Sequence, residues 1–307
     1  MTSTSRRILV TGGAGFVGSH LVELLVEAGD QVVVVDDLSR GRRAWLHPGA
    51  ELREVDVRDG TGLRRVLSEI RPDVVVHLAA MHFIPAVDDA PGLARDINVG
   101  GTRALMDALT LQPPRLLVFA STAAVYPDRG GPIGEWCPPD PIDVYGDTKL
   151  EGERLVTEWA EEFSVSPIVA RIFNVIGKRE TNPHVIPEVV SQLRTGSRTV
   201  RVGNLASRRD YTDVRDVAEA IRRLAAVDSR SDTIFNVGSG HSVSVAEVVE
   251  TCEDVLGYRI EVEVDQRRLR AHDRAELCAD ATLLRETTGW QPSRSLKETL
   301  AELLALT

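Results

Sequence analysis

Ile8-Leu9-Val10-Thr11-Gly12-Gly13-Ala14-Gly15-Phe16-Val17-Gly18 is the stretch of this 307-residue chain from which its fold is read. A short apolar run of strand composition breaks into glycines and then into a helical pattern at Leu21, Val22, Leu24 and Leu25. Gly12, Gly15 and Gly18 give G-x-x-G-x-x-G spacing. The first permits a tight turn and the second lets backbone approach a pyrophosphate. The third lets helix and strand pack closely, so that the first helical turn, Phe16 and Val17 included, points its free N–H groups at the phosphates. A glycine-rich strand–helix turn alone needs no ligand. Here a second strand, Gln31–Val35, ends in Asp36-Asp37, about twenty residues past the glycines, where a carboxylate accepts the adenosine ribose hydroxyls and repels a 2′-phosphate. This favours NAD over NADP, although Arg40, Arg42 and Arg43 follow closely and could accept a phosphate.

Apolar runs recur at Ile8–Val10, Val32–Val35, Asp73–Leu78, Leu116–Ala120 and Ile168–Ile172, with helical patterns around 15–28, 60–70, 95–110 and 145–163. Such alternation predicts a Rossmann-type, doubly wound parallel sheet. Glu51–Val55 reads as a weaker strand and Ile234–Val237 as an edge strand. Beyond about 172 the alternation loosens into a smaller α/β domain, with strands near 199–202 and 259–264 and helices near 244–257 and 294–305. The expected division is a nucleotide domain at 1–171 plus about 209–237, and a substrate domain at about 172–208 and 238–307. Pro127 to Asp143, with five prolines and three glycines, is the longest irregular stretch.

A net charge of −10 argues against nonspecific nucleic-acid binding and requires local arginines for any anionic substrate. Cys137, Cys252 and Cys278 are widely spaced and form no C-x-x-C, so neither a metal site nor a disulfide framework is inferred. Arg6-Arg7 precede an apolar stretch too short and glycine-broken for an export signal. No run approaches the roughly 18 apolar residues of a membrane span. The expected location is the cytoplasm.

Tyr145-Gly146-Asp147-Thr148-Lys149 places a phenol and an ammonium at i, i+4 on one helix face. The ammonium favours phenolate, and an oxidised nicotinamide would favour it further, giving a general base usable near neutral pH. The chain has only three lysines, Lys149, Lys178 and Lys297, which makes the pairing informative. Upstream, the strand Leu116–Ala120 ends in Ser121-Thr122. A hydroxyl at the carboxyl end of a parallel strand can bond a substrate oxygen whose proton Tyr145 removes, or simply cap a turn.

With these residues in view, the chain resembles the extended short-chain dehydrogenase/reductase family, in particular its nucleotide-sugar epimerases and dehydratases. The resemblance runs from about Arg7 to Leu304. It rests on Thr11–Gly18, Asp36–Ser39, Asp56–Asp59, His77–Ala80, Asn98–Thr102, Ser121–Tyr126, Tyr145–Lys149, Arg171–Gly177, Arg209–Val214 and Gly289–Pro292. It implies that Gly12, Gly15 and Gly18 hold the pyrophosphate of NAD, that Asp36 and Asp37 face the adenosine ribose, and that Asp56 and Val57 line the adenine pocket. Leu78, Ala79, Ala80 and Asn98 would run beside the cofactor, and Lys149 would bond its nicotinamide ribose. Thr122 and Tyr145 match the catalytic hydroxyl and base. Ser121, Asn174, Arg209 and Arg270 fall at substrate positions, the last three on the sugar-nucleotide diphosphate.

Some residues depart from the family's pattern. Ala123 and Ala124 stand where dehydratases and decarboxylases of the family carry acids. That favours 4-epimerisation of a UDP-sugar over elimination of water. A dehydratase using His82, Glu135 or Cys137 instead, and a non-catalytic NAD-binding regulator, are the alternatives. Leu277 falls where some hexose epimerases carry a tyrosine, which leaves N-acetylhexosamines possible. Met81-His82-Phe83 matches no assignable pattern. The resemblance also implies a homodimer formed through the helices near 98–110 and 145–163.

Overall fold

The computed structural model describes residues 5–227, 233–268 and 274–305. Its strands are β1 (Arg7–Thr11), β2 (Gln31–Asp36), β3 (Glu51–Glu54), β4 (Val74–His77), β5 (Leu116–Thr122), β6 (Pro132–Ile133), β7 (Ser166–Ile172), β8 (Asn174–Ile176), β9 (Thr199–Val202), β10 (Arg208–Asp213), β11 (Ile234–Val237), β12 (Ser242–Ser244), β13 (Glu261–Val264) and β14 (Glu276–Ala279). Its α-helices are α1 (Phe16–Glu27), α2 (Gly60–Ile70), α3 (Ile84–Asp89), α4 (Pro91–Arg95), α5 (Gly101–Leu109), α6 (Val144–Phe163), α7 (Val185–Arg194), α8 (Val214–Leu224), α9 (Val245–Leu256), α10 (Thr282–Thr288) and α11 (Leu296–Ala305).

Seven strands form one sheet in the order β11-β7-β5-β4-β1-β2-β3, with every pairing parallel. Both faces are covered, which is why its strands read as unbroken apolar runs. Ile8, Val10, Val34 and Val76 face α1 and α8 through Leu21, Leu25, Val217 and Ile221. Leu9, Val33, Val75 and Phe119 face α2, α5 and α6 through Leu63, Leu105, Val156 and Trp159. Strand order reverses between β1 and β4, and a ligand crevice opens at the carboxyl ends of strands at such a reversal.

The structure departs from the sequence pattern in two places. The helix expected over 95–110 is interrupted, since Asp96–Gly100 forms a π-helical turn between α4 and α5. Asn98 sits in that turn, turned inward. The second departure is a smaller sheet, β12-β10-β14-β6 with β8 paired to β10. It takes residues 208–213, whereas the following α8 and β11 pack on the large sheet. It also takes Pro132–Ile133 from the proline-rich stretch, which is further tied down where Asp140 N–H donates to Val125 O at 2.9 Å. β9 and β13 pair in parallel, near the apolar cluster of α7, α9 and α11. Among the described residues no helix is long and apolar enough to cross a membrane.

Candidate active site

Gly12 has φ +70°, and a Cβ there would lie 2.7 Å from Ala79 N. A Cβ on Gly18 would lie 2.1 Å from Gly12 O. Only glycine fits where β1, the start of α1 and the end of β4 meet. Gly15 caps α1 and no side chain bonds its first turn, at Phe16 and Val17, so those N–H groups suit an anion. Leu78 N donates to Thr11 O at 3.0 Å and Ala79 N to Thr11 Oγ1 at 3.3 Å, which holds Leu78–Ala80 against the glycine turn.

Asp36 ends β2 and is buried. Its carboxylate accepts from Ala14 N at 3.0 Å and Leu38 N at 2.9 Å. Burial pushes its pKa up, against the pull of those two bonds. Asp37 is exposed and is occupied with Ser39. Asp56 is held by the Arg58 guanidinium, which lowers its pKa. Val57 is buried and lies so close to Gly101 that a Cβ there would come 2.7 Å from Val57 Cγ2. A glycine cradle, an uncapped helix start and a carboxylate at the end of the next strand together fit NAD. With Asp36 in this position, calorimetry should show NAD binding at least about tenfold tighter than NADP. Equal affinity would instead assign Arg40, Arg42 or Arg43 to a phosphate.

Asn98 lies in the π-helical turn before α5. Its Oδ1 accepts from Met81 N at 2.7 Å, and its Nδ2 donates to Met81 O and to Thr148 Oγ1, both at 3.0 Å. Its carboxamide is buried and makes these three bonds. It brackets the Leu78–Met81 segment to α6. His77 plays a similar part. Thr102 gives its one hydroxyl proton to Asn98 O at 2.6 Å and therefore accepts from His77 Nε2. His77 Nδ1 then accepts from Thr11, 2.6 Å away. Burial lowers the His77 pKa to about 3, so the ring stays neutral.

α6 begins at Val144, and Asp143 caps it through Gly146 N at 2.7 Å. A Cβ on Gly146 would lie 2.5 Å from Ala124 O. This close approach sets the start of α6, and with it Tyr145, against the turn that follows Thr122. Thr122 Oγ1 accepts from Ala124 N at 3.1 Å. One turn further, Lys149 is buried with Nζ 4.2 Å above the Phe119 ring, and Gly152 lets helix and ring meet. Burial lowers the Lys149 pKa to about 7, opposed by the charge of Glu153. Burial pushes the Tyr145 pKa up, and its polar neighbour Thr122 offsets this only in part. A base at this position needs a further positive charge.

Neighbours on a strand point to opposite faces, so only one of Ser121 and Thr122 can meet Tyr145. Ser121 points the other way, where its buried hydroxyl donates to Glu153. Glu153 is in turn paired with Arg171 at 2.9 and 2.7 Å, both residues buried. Arg171 also stacks on Tyr126, 4.8 Å from the ring centroid. This pair beneath Lys149 was not anticipated, although Glu153 lies four residues after Lys149 and so on the same face of the helix.

On the far side of the crevice, Asn174 is half-buried at the start of β8, opposite Tyr211. Arg209, on β10, donates through Nη1 to Arg208 O and Arg274 O, both at 2.8 Å. Arg270 lies outside the described residues. Buried Arg274, not singled out in the sequence, donates to Ala124 O at 2.9 Å and Tyr126 O at 3.3 Å, tying the smaller sheet to the turn after Thr122. Leu277 is buried among Val125, Tyr126 and Phe173, so its placement gives no support to the argument about sugar size. Glu135 accepts from Asn236 N at 2.8 Å, and Cys137 is buried in the same cluster as Leu277. His82 is exposed.

A profile of the NAD dependent epimerase/dehydratase family matches residues 8–238. The chain is 37% identical to the UDP-glucose 4-epimerase of Corynebacterium glutamicum over 314 aligned positions, covering 96% of this chain and 94% of that protein. Its structure is similar to that of Thermus thermophilus UDP-glucose 4-epimerase in complex with NAD, with a TM-score of 0.88, 31% identity and 97% of each chain covered. It is equally similar to Thermotoga maritima UDP-glucose 4-epimerase with UDP-glucose, with a TM-score of 0.88, 30% identity and 97% of each chain covered. The sheet order, the glycine cradle and these likenesses agree, and the chain belongs to the NAD-dependent epimerase/dehydratase family.

Proposed function

We propose that this chain is a 4-epimerase of a UDP-hexose or UDP-N-acetylhexosamine, working through a 4-keto intermediate. What supports the reading is that Tyr145 and Lys149 stand one turn apart on α6, whose start packs against the turn after Thr122 at the carboxyl end of β5. Tyr145, as phenolate, removes the proton of the 4-hydroxyl, and Thr122 bonds the same oxygen. Bound NAD supplies a positively charged ring that lowers the phenol's pKa, takes the hydride from carbon 4 and gives it back. Lys149 holds the ribose next to that ring and adds its charge near the phenolate. After the keto sugar turns over, the hydride would return to the opposite face of carbon 4, and Tyr145 gives its proton back to the oxygen. Gly12, Gly15, Gly18 and Asp36 would hold the cofactor, and Asn174, Arg209 and Arg270 the diphosphate.

Elimination of water is disfavoured because Ala123 and Ala124 are buried and carry no acid, while Cys137 is buried in an apolar cluster and Glu135 accepts from the backbone of Asn236. A redox sensor would need none of Thr122, Tyr145 and Lys149. We also propose a two-domain division close to that read from the sequence, a cytoplasmic location, and a homodimer through α5 and α6. Both helices expose polar flanks such as Arg103, Asp107, Arg154 and Glu158. Proton NMR of the products from a panel of nucleotide sugars tests the reading. The 4-epimer of a UDP-sugar is expected, and a dehydrated product or no turnover of any member would contradict it. In a binding assay, Arg209→Ala should weaken UDP-sugar affinity by about 1.5–3 kcal/mol, the scale of a charge-assisted hydrogen bond, and leave NAD binding unchanged. Unchanged affinity for UDP would remove Arg209 from the diphosphate site.

A further inference from the structure

His82 follows β4 at the carboxyl edge of the large sheet, whereas Glu180 and His184 follow β8 of the smaller one. The fold brings one ligand atom from each to within 4.8 Å of the others, and the two imidazoles lie near-parallel with centroids 6.4 Å apart. We propose that these three side chains form a divalent transition-metal site, suited to Zn²⁺, that joins the two sides of the crevice at its mouth. Two imidazole nitrogens and one carboxylate oxygen are a donor set for zinc, and three protein ligands leave a position for water or a substrate oxygen. A calcium or magnesium site would be built from oxygens.

The surroundings are arranged as a metal ligand requires. His82 Nε2 faces the side-chain amide nitrogen of Asn182, which can only donate, so Nε2 is the nitrogen bearing the lone pair. Nε2 lies 3.0 Å from Asn182 Nδ2. Glu180 Oε1 accepts from Thr181 N and Asn182 N, both at 2.8 Å, so the carboxylate is oriented with Oε2 left over. The buried Asn182 amide thus places partial positive charge between a carboxylate and an imidazole lone pair, where a cation would be bound. His184 caps α7 with its backbone alone, and its ring packs edge-on against Phe83 at 5.2 Å. Side-chain movements of about 1 Å would bring the three donors to the roughly 3.3 Å spacing of a tetrahedral site. The two segments are remote in the chain, so no ligand spacing is legible in the sequence.

Calorimetric titration of chelator-treated, NAD-loaded protein with ZnCl₂ tests the site. One equivalent should bind, at least tenfold more weakly in His82→Ala and in His184→Ala, with NAD content confirming that each variant is folded. Independently of any variant, Co²⁺ added to the unaltered protein should develop the intense visible absorption of a tetrahedral complex, lost on adding Zn²⁺. No saturable binding, or an isotherm unchanged in both histidine variants, would overturn the proposal. So would a Co²⁺ spectrum no different from that of the aqueous ion.

Discussion

Tyr145→Phe should lower turnover by about 10²–10⁴-fold, the usual loss on removing a general base, with bound NAD and UDP-sugar affinity close to normal. The ring stays, so the packing of the α6 start against the Ala123–Val125 turn stays as well. The group that receives the proton goes. Its contribution lies in the transition state, and the loss should therefore appear in kcat with little change in KM. Burial raises the Tyr145 pKa and lowers that of Lys149 to about 7, so the phenol becomes a base only when the occupied site adds positive charge. Near-normal turnover in Tyr145→Phe with full NAD occupancy would move the proton transfer to another group, with His82 the first to test.

Arg171→Leu should destabilise the protein by about 3–5 kcal/mol, read as a lowered urea midpoint, because it leaves the Glu153 carboxylate buried without its cation. The pair is bidentate and buried, and Ser121 donates to the same carboxylate. Glu153→Gln combined with Arg171→Leu should recover part of the loss, since the uncompensated charge is gone. An Arg171→Leu protein that unfolds like the unaltered one would show that Glu153 takes up a proton at little cost.

The parts most legible in the sequence are those whose chemistry is local. The valine runs of β2 and β4 could only be strands covered on both faces, and Gly12 and Gly18 stand where a single Cβ would meet backbone. Tyr145 and Lys149 could be paired from helical spacing alone. Ser121 and Thr122 could not be told apart, because one residue of register decides which faces the crevice. The bonds of Asn98 to Met81 and Thr148 join segments remote in the chain and were not legible from its position. The smaller sheet includes strands of two or three residues, β6, β8 and β12, too short to carry a period. The remote meeting of His82 with Glu180 and His184 leaves no local trace.

The central claim is that carbon 4 is oxidised and reduced within one site, by a hydride that never leaves it. The most direct measurement is the reaction of UDP-glucose in D₂O, followed by NMR. The account predicts UDP-galactose with no deuterium at carbon 4. Deuterium at carbon 4, or a 4-keto-6-deoxy sugar formed by loss of water, would contradict it.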